Sequence, residues 1–124
     1  MGSGPIRERP FGAVALLIAT TATGRSDATP TLKGKVGPGF TITLTKDGKK
    51  VGSVKAGTYR FVVTDRSTAH NFVVEKSHGS KVERTVTSVR FTGTRSMTVK
   101  LTKGEWEFEC TPHEDVMHGG FVVK

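Results

Sequence analysis

The sequence predicts an all-β protein, a β-sandwich of seven to eight short strands, and three observations carry that prediction. From Phe40 onward no segment has the 3.6-residue periodicity of an amphipathic helix. Short alternating or β-branched runs recur instead between glycine-bearing turns. One run, Glu105 to Cys110 (EWEFEC), alternates strictly and puts Trp106, Phe108 and Cys110 on one face and three glutamates on the other. Many short strands in so short a chain describe two packed sheets rather than a parallel α/β sheet.

The first thirty residues differ from the rest. Arg7 and Arg9 precede Phe11 to Ala19 (FGAVALLIA), an uncharged apolar run that gives way to small residues from Thr20 to Gly24. Basic, then apolar, then small is the order of a secretory signal peptide, so residues 1–22 are expected to be an export signal cleaved near Ala22. The run falls well short of the roughly 20 apolar residues that span a bilayer as a helix, so no stable membrane span is expected in the mature protein. The expected location is the periplasm, the cell surface or the medium. Residues 23–39, rich in Thr, Gly, Pro and Lys, read as a flexible lead-in whose end joins the first strand. Residues 40–124 read as the folded domain.

Within that domain, Phe40 to Thr45 leads to the turn Lys46-Asp47-Gly48-Lys49, where Asp-Gly supplies the positive-φ positions of a tight hairpin, and Val51 to Val54 is expected to pair back across it. Ala56-Gly57 turns into Thr58 to Asp65, whose Tyr59, Phe61 and Val63 share a face while Arg60 points away. Asn71 to Glu75, Val82 to Val89 and Ser96 to Leu101 supply further strands, the last placing Met97, Val99 and Leu101 together. Lys103-Gly104 turns into the alternating Glu105 run, and Phe121-Val122-Val123 closes the chain.

Composition narrows the function. The chain has 124 residues, 19 Lys and Arg against 11 Asp and Glu, and a formal charge of +8. Removing residues 1–31 takes away three basic and two acidic residues and leaves +7, so the mature domain is basic and suits an acidic partner. Nucleic acid fits poorly as that partner, because the lysines alternate with Gly, Thr and Val without an aromatic recognition strand or a helix to enter a groove. The single cysteine cannot form an intrachain disulfide, so packing, a bound metal or both must stabilise the small core.

The chemistry lies in Cys110-Thr111-Pro112-His113-Glu114-Asp115-Val116-Met117, where a soft thiolate, an imidazole and a thioether fall within eight residues. One more imidazole would complete the His2Cys plane with a long axial Met that holds copper in electron-transfer sites. His70 is the natural candidate, since it sits at a strand junction where Phe72 and Val74 can face the core. Singly, each residue has an ordinary role: an inward Cys is usually a small hydrophobe, a Met fills space, and a His beside a strand satisfies a local hydrogen bond. Their joint order and spacing make the metal reading the stronger one. An unpaired thiol in an oxidising compartment also needs protection.

The two stretches Asp65-Arg66-Ser67-Thr68-Ala69-His70-Asn71-Phe72 and Cys110 to Met117 resemble the cupredoxin family of plastocyanin, pseudoazurin and azurin, and most closely small bacterial plastocyanin-like domains. Phe91-Thr92-Gly93-Thr94 and Leu101 to Phe108 resemble the strands that the family places before its cysteine, so the likeness covers about Phe40 to Lys124. It implies a Greek-key sandwich and one type 1 copper site, with His70, Cys110 and His113 equatorial and Met117 axial. Asn71 would tie the two ligand loops together by hydrogen bonds. The resemblance also implies that His113 is the solvent-side electron port, within an apolar patch containing Pro112. Three residues separate His113 from Met117, where plastocyanin has four; this bears on the copper–sulfur distance and the potential rather than on the ligand set.

The expected function is that of a blue copper protein that shuttles single electrons between extracytoplasmic redox partners, acting as a monomer on an acidic partner such as a cytochrome or oxidase. A copper-binding or copper-delivery protein without rapid redox turnover would use the same four ligands and is the alternative. An enzyme fits poorly, because multicopper oxidation or nitrite reduction needs several more histidines and only His78 and His118 remain. His78 lies in a polar turn and is expected to be solvated. His118 follows Met117 and is expected at the surface.

Overall fold

A computed structural model of the chain describes residues 28–124, and the expected signal segment lies outside them. Ten strands form two five-stranded sheets. In the first sheet β3 (Lys49–Lys50), β2 (Ile42–Lys46), β1 (Thr31–Val36), β5 (Gly57–Asp65) and β8 (Gly93–Leu101) lie in that order. In the second the order is β4 (Ser53–Val54), β10 (His118–Val123), β9 (Gly104–Glu109), β6 (Phe72–Lys76) and β7 (Glu83–Thr87). Eight strands have five or more residues; the other two, β3 and β4, have two each. Among the described residues no helix is long and apolar enough to cross a membrane.

Alternation decides what faces inward. Tyr59, Phe61 and Val63 on β5 and Trp106 and Phe108 on β9 are buried, as period-2 patterning requires. Phe72 and Phe108 stack nearly parallel, with centroids 5.7 Å apart, and Trp106 and Phe121 stack at 6.5 Å. Trp106 keeps its indole N–H satisfied by donating to the Thr102 carbonyl at 2.7 Å. Fully burying each such ring stabilises the sandwich by about 1.5–3 kcal/mol. Asp47 (φ 52°) and Gly48 (φ 81°) make the hairpin that returns β3 against β2, the pair of positive-φ residues that the right-handed strand twist favours.

Three expectations are corrected. The stretch read as lead-in contributes β1, which lies in the middle of the first sheet, antiparallel to β2 and parallel to β5, with Leu32 and Val36 fully buried. Its lysines and glycines disguised it, because Lys33 and Lys35 occupy only the outward face. The stretch Val51 to Val54 does not pair back across the hairpin. Lys49–Lys50 does that, and Ser53–Val54 crosses to the second sheet and pairs parallel with β10. The strand read from Phe40 to Thr45 begins two residues later, at Ile42, and Phe40 lies outside it, 63% exposed.

Charge divides between the sheets. The strands of the first carry Lys33, Lys35, Lys46, Lys49, Lys50, Arg60, Arg95 and Lys100 against one acid, the buried Asp65. The strands of the second carry five glutamates against Lys76 and Arg84.

Candidate metal centre

Three connections meet at one end of the sandwich. The β1–β2 loop brings Gly39 and Phe40, the β5–β6 loop brings His70 and Asn71, and the β9–β10 loop brings Cys110 through Met117. The last loop is tightly wound. Thr111–His113 form a single 3₁₀ turn with Pro112 in its first positions, where a missing N–H costs nothing. The His113 N–H donates to the Cys110 carbonyl at 3.0 Å, the Met117 N–H to His113 at 2.9 Å, and the Cys110 N–H to Met117 at 3.0 Å. The loop therefore closes on itself and holds Cys110, His113 and Met117 in fixed relation.

The side chains of His70, Cys110 and His113 converge. Cys110 Sγ lies 3.6 Å from the Nδ1 of each histidine, and the two Nδ1 atoms are 3.2 Å apart. A point equidistant from three atoms so placed lies about 2.0 Å from each, close to the length of a metal–imidazole bond. Gly39 decides the state of one ring. Its carbonyl can only accept, so His70 Nε2 carries the proton that it donates across 2.8 Å, and in the neutral ring Nδ1 keeps its lone pair for the centre. His70 and Cys110 are buried and His113 is half-buried, so the site opens to the surface on the His113 side. Met117 is fully buried next in the same loop.

Asn71 Nδ2 donates to Thr111 Oγ1 at 3.0 Å and Asn71 Oδ1 accepts from the Thr111 N–H at 2.8 Å, bridging the two loops. Pro112 is exposed. Sequence reasoning missed Phe40 as part of the site: its ring meets His113 edge-on at 5.0 Å and His70 at 5.5 Å. The Gly37-Pro38-Gly39 turn before it, which can lift the following side chain out of the strand pattern, is the signal that was there to find. With Pro112 and Val116, 64% exposed, Phe40 gives this end an apolar rim. His118 stays outside the cluster, exposed and opposite Glu109 in the β9–β10 register. His78 is exposed too, 3.4 Å from Glu105.

A two-sheet β-sandwich with an inward thiolate and two imidazoles converging at its loop end defines a cupredoxin, and these donors fit a single type 1 copper site. The chain belongs to the plastocyanin/azurin family of copper-binding proteins, whose family model matches residues 35–124. Solved structures share the fold. Auracyanin A, a "blue" copper protein from the green thermophilic photosynthetic bacterium Chloroflexus aurantiacus, superposes with a TM-score of 0.55 at 18% identity, covering 78% of this chain and all of that one. Auracyanin B gives 0.54 at 14% identity over 79% of this chain and 92% of its own. The copper protein rusticyanin gives 0.54 at 19% identity over 76% of each chain. No curated protein matches the sequence.

Proposed function

We propose that the chain is a one-electron carrier in which His70, Cys110 and His113 hold copper in a plane and Met117 supplies the axial thioether. The observation that carries this reading is the triangle of donor atoms, 3.2 to 3.6 Å on a side, whose centre lies at metal-ligand distance from all three. Copper supplies the one-electron couple when bound. The protein's part is rigidity. Strands β6, β9 and β10 anchor the ligand loops, the Asn71–Thr111 pair locks two of them together, and the Gly39 carbonyl fixes the tautomer and angle of His70. Ligands that do not move between oxidation states keep reorganisation small, which is what a carrier requires and an enzyme does not.

His113 is the port through which the electron passes, framed by Phe40, Pro112 and Val116. The partner is an acidic redox protein: Lys33, Lys35 and Arg66 line one shallow groove on the first sheet, and the Arg66 backbone is bonded to Val36 beside the loop that carries Phe40. The chain works outside the cytoplasm as a monomer, a reading that rests on the export signal expected in residues 1–22.

The test is a visible and EPR spectrum of the domain with one equivalent of Cu(II), followed by the electron self-exchange rate. An intense blue or green band with a small parallel hyperfine splitting and fast exchange is expected. A pale solution with ordinary hyperfine values overturns the ligand set. A blue protein with slow exchange and ready copper release makes it a delivery protein instead.

A further inference from the structure

The outward face of the first sheet carries a row of cations that the copper donors do not use. Arg60 on β5 stands opposite Thr31 in the parallel register, and Lys33 and Lys35 follow on β1, opposite Val62 and Thr64. Arg66 adds one further row, since its N–H donates to the Val36 carbonyl just beyond the end of β5. Alternation sends these four side chains to one face, and all four are exposed. Successive cations therefore stand two residues apart along the strand direction, about 6.6 Å per step.

The surroundings of this stripe decide what it fits. Lys33, Lys35 and Arg66 share one shallow groove, floored by Gly34 and bordered by the hydroxyls of Thr43, Thr45 and Thr64. The one acid in the strands of this sheet, Asp65, is buried. Among the described residues none of the four cations is ion-paired, so their charge is open to a partner. Val62 is the one apolar side chain that β1 and β5 turn outward, whereas a surface that adsorbs to lipid inserts several large apolar groups.

We propose that the stripe is a docking track for an extended acidic segment of the redox partner, with Asp or Glu at every second position. This rests on the reading of an acidic partner and states what that partner presents. An extended chain rises about 3.2–3.4 Å per residue and turns alternate side chains to one face, so its carboxylates repeat at about 6.6 Å, the step of the cations. Contiguous acids would point to both faces and send half of their charge away from the groove. The threonine hydroxyls can donate to the carboxylates between the cations. The track ends at Arg66, four residues before His70, and so leads a segment lying in it to the end of the sandwich where His113 reaches the surface.

The test is an amide chemical-shift titration of the full-length protein at low ionic strength with two capped peptides of equal composition, Glu-Thr-Glu-Thr-Glu-Thr-Glu and Glu-Glu-Thr-Thr-Thr-Glu-Glu. The alternating peptide should bind saturably, shift the amides of Lys33, Lys35, Thr43 and Thr64, and bind at least about twofold more tightly than the blocked one. Lys35→Gln should weaken it about two- to fivefold, the size of one exposed ion pair, while Lys81→Gln, an equal charge change on the exposed β6–β7 loop, should change it less than about 1.5-fold. Equal affinity for the two peptides, or equal loss in the two variants, overturns the proposal, because net charge alone would then suffice. So does adsorption to phosphatidylglycerol vesicles without saturable peptide binding, which would make the stripe a membrane contact. Copper does not enter the titration, and Cys110→Ser should bind the alternating peptide as the parent does. A blue protein with fast self-exchange that ignores both peptides keeps the carrier and loses the track. A pale protein that binds the alternating peptide keeps the track and loses the carrier.

Discussion

Asn71 and Thr111 hold each other by two hydrogen bonds, side chain to side chain at 3.0 Å and side chain to backbone at 2.8 Å, across 40 residues of sequence. Asn71 follows His70 and Thr111 follows Cys110, so this pair sets the separation of the two loops that carry the converging donors. Replacing Asn71 by Ala leaves the Thr111 N–H without its partner and should cost about 1–3 kcal/mol of stability. A lower denaturant midpoint with an unchanged slope is the expected result; an unchanged midpoint would mean that the bridge contributes nothing.

Cys110→Ser should abolish the blue colour altogether, because the intense band comes from charge transfer between thiolate and Cu(II). The variant should still fold, since Cys110 is a small buried group at the end of a strand. An absorption spectrum beside a far-UV circular dichroism spectrum checks both halves.

If Met117 supplies the axial thioether as proposed, Met117→Leu should keep the colour and raise the reduction potential, since a weak ligand is lost while the other three donors remain. Voltammetry reads the shift. Complete loss of copper from this variant would make the methionine a primary ligand.

Gly119→Ala tests the packing beneath the ligand loop. A Cβ there would run into the Phe108 ring, which cannot retreat because Phe72 lies stacked against it and Phe121 beside it. Overpacking of this kind costs about 1–3 kcal/mol, visible as a lower unfolding midpoint. Gly120→Ala, one residue on, meets far less and should fold nearly as well as the parent.

Burial, and then the charges of Glu109, Glu107 and Glu83, push the Glu75 carboxyl up to about 7 from an ordinary 4.5. The folded state therefore holds this proton more tightly than the unfolded chain does. Its contribution to stability is fully present below about pH 4.5 and is lost as pH rises through about 7. Urea midpoints should fall between about pH 5 and pH 8, and Glu75→Gln should flatten that slope. Parallel pH profiles for parent and variant would contradict the assignment.

Legibility in the sequence followed local pattern. The run from Glu105 to Cys110 alternates so strictly that its inward and outward faces, and the inward thiol, could be read directly. The Asp47-Gly48 turn was equally plain. What escaped were features set by tertiary context. Strand β1 hides its apolar residues among lysines and glycines, and β4 is two residues long and finds its partner in the opposite sheet. Glu109, placed with Glu105 and Glu107 on the face opposite Trp106, is buried where they are not, because alternation specifies a face and not what covers it. At the centre, the convergence of His70, Cys110 and His113 was anticipated from order and spacing, whereas the contacts of Gly39 and Phe40 came from a loop with no signature of its own.

The division of basic and acidic residues between the two sheets makes the domain an electric dipole across its own thickness, about 10 Å between layers, superimposed on its net positive charge. A distant charged surface then exerts a torque as well as a pull. The molecule turns its lysine side toward an anionic surface before touching it, and the glutamates trail behind. Two variants of equal net charge, one with the faces intact and one with charges exchanged between them, should therefore differ in how often an encounter begins in a productive orientation.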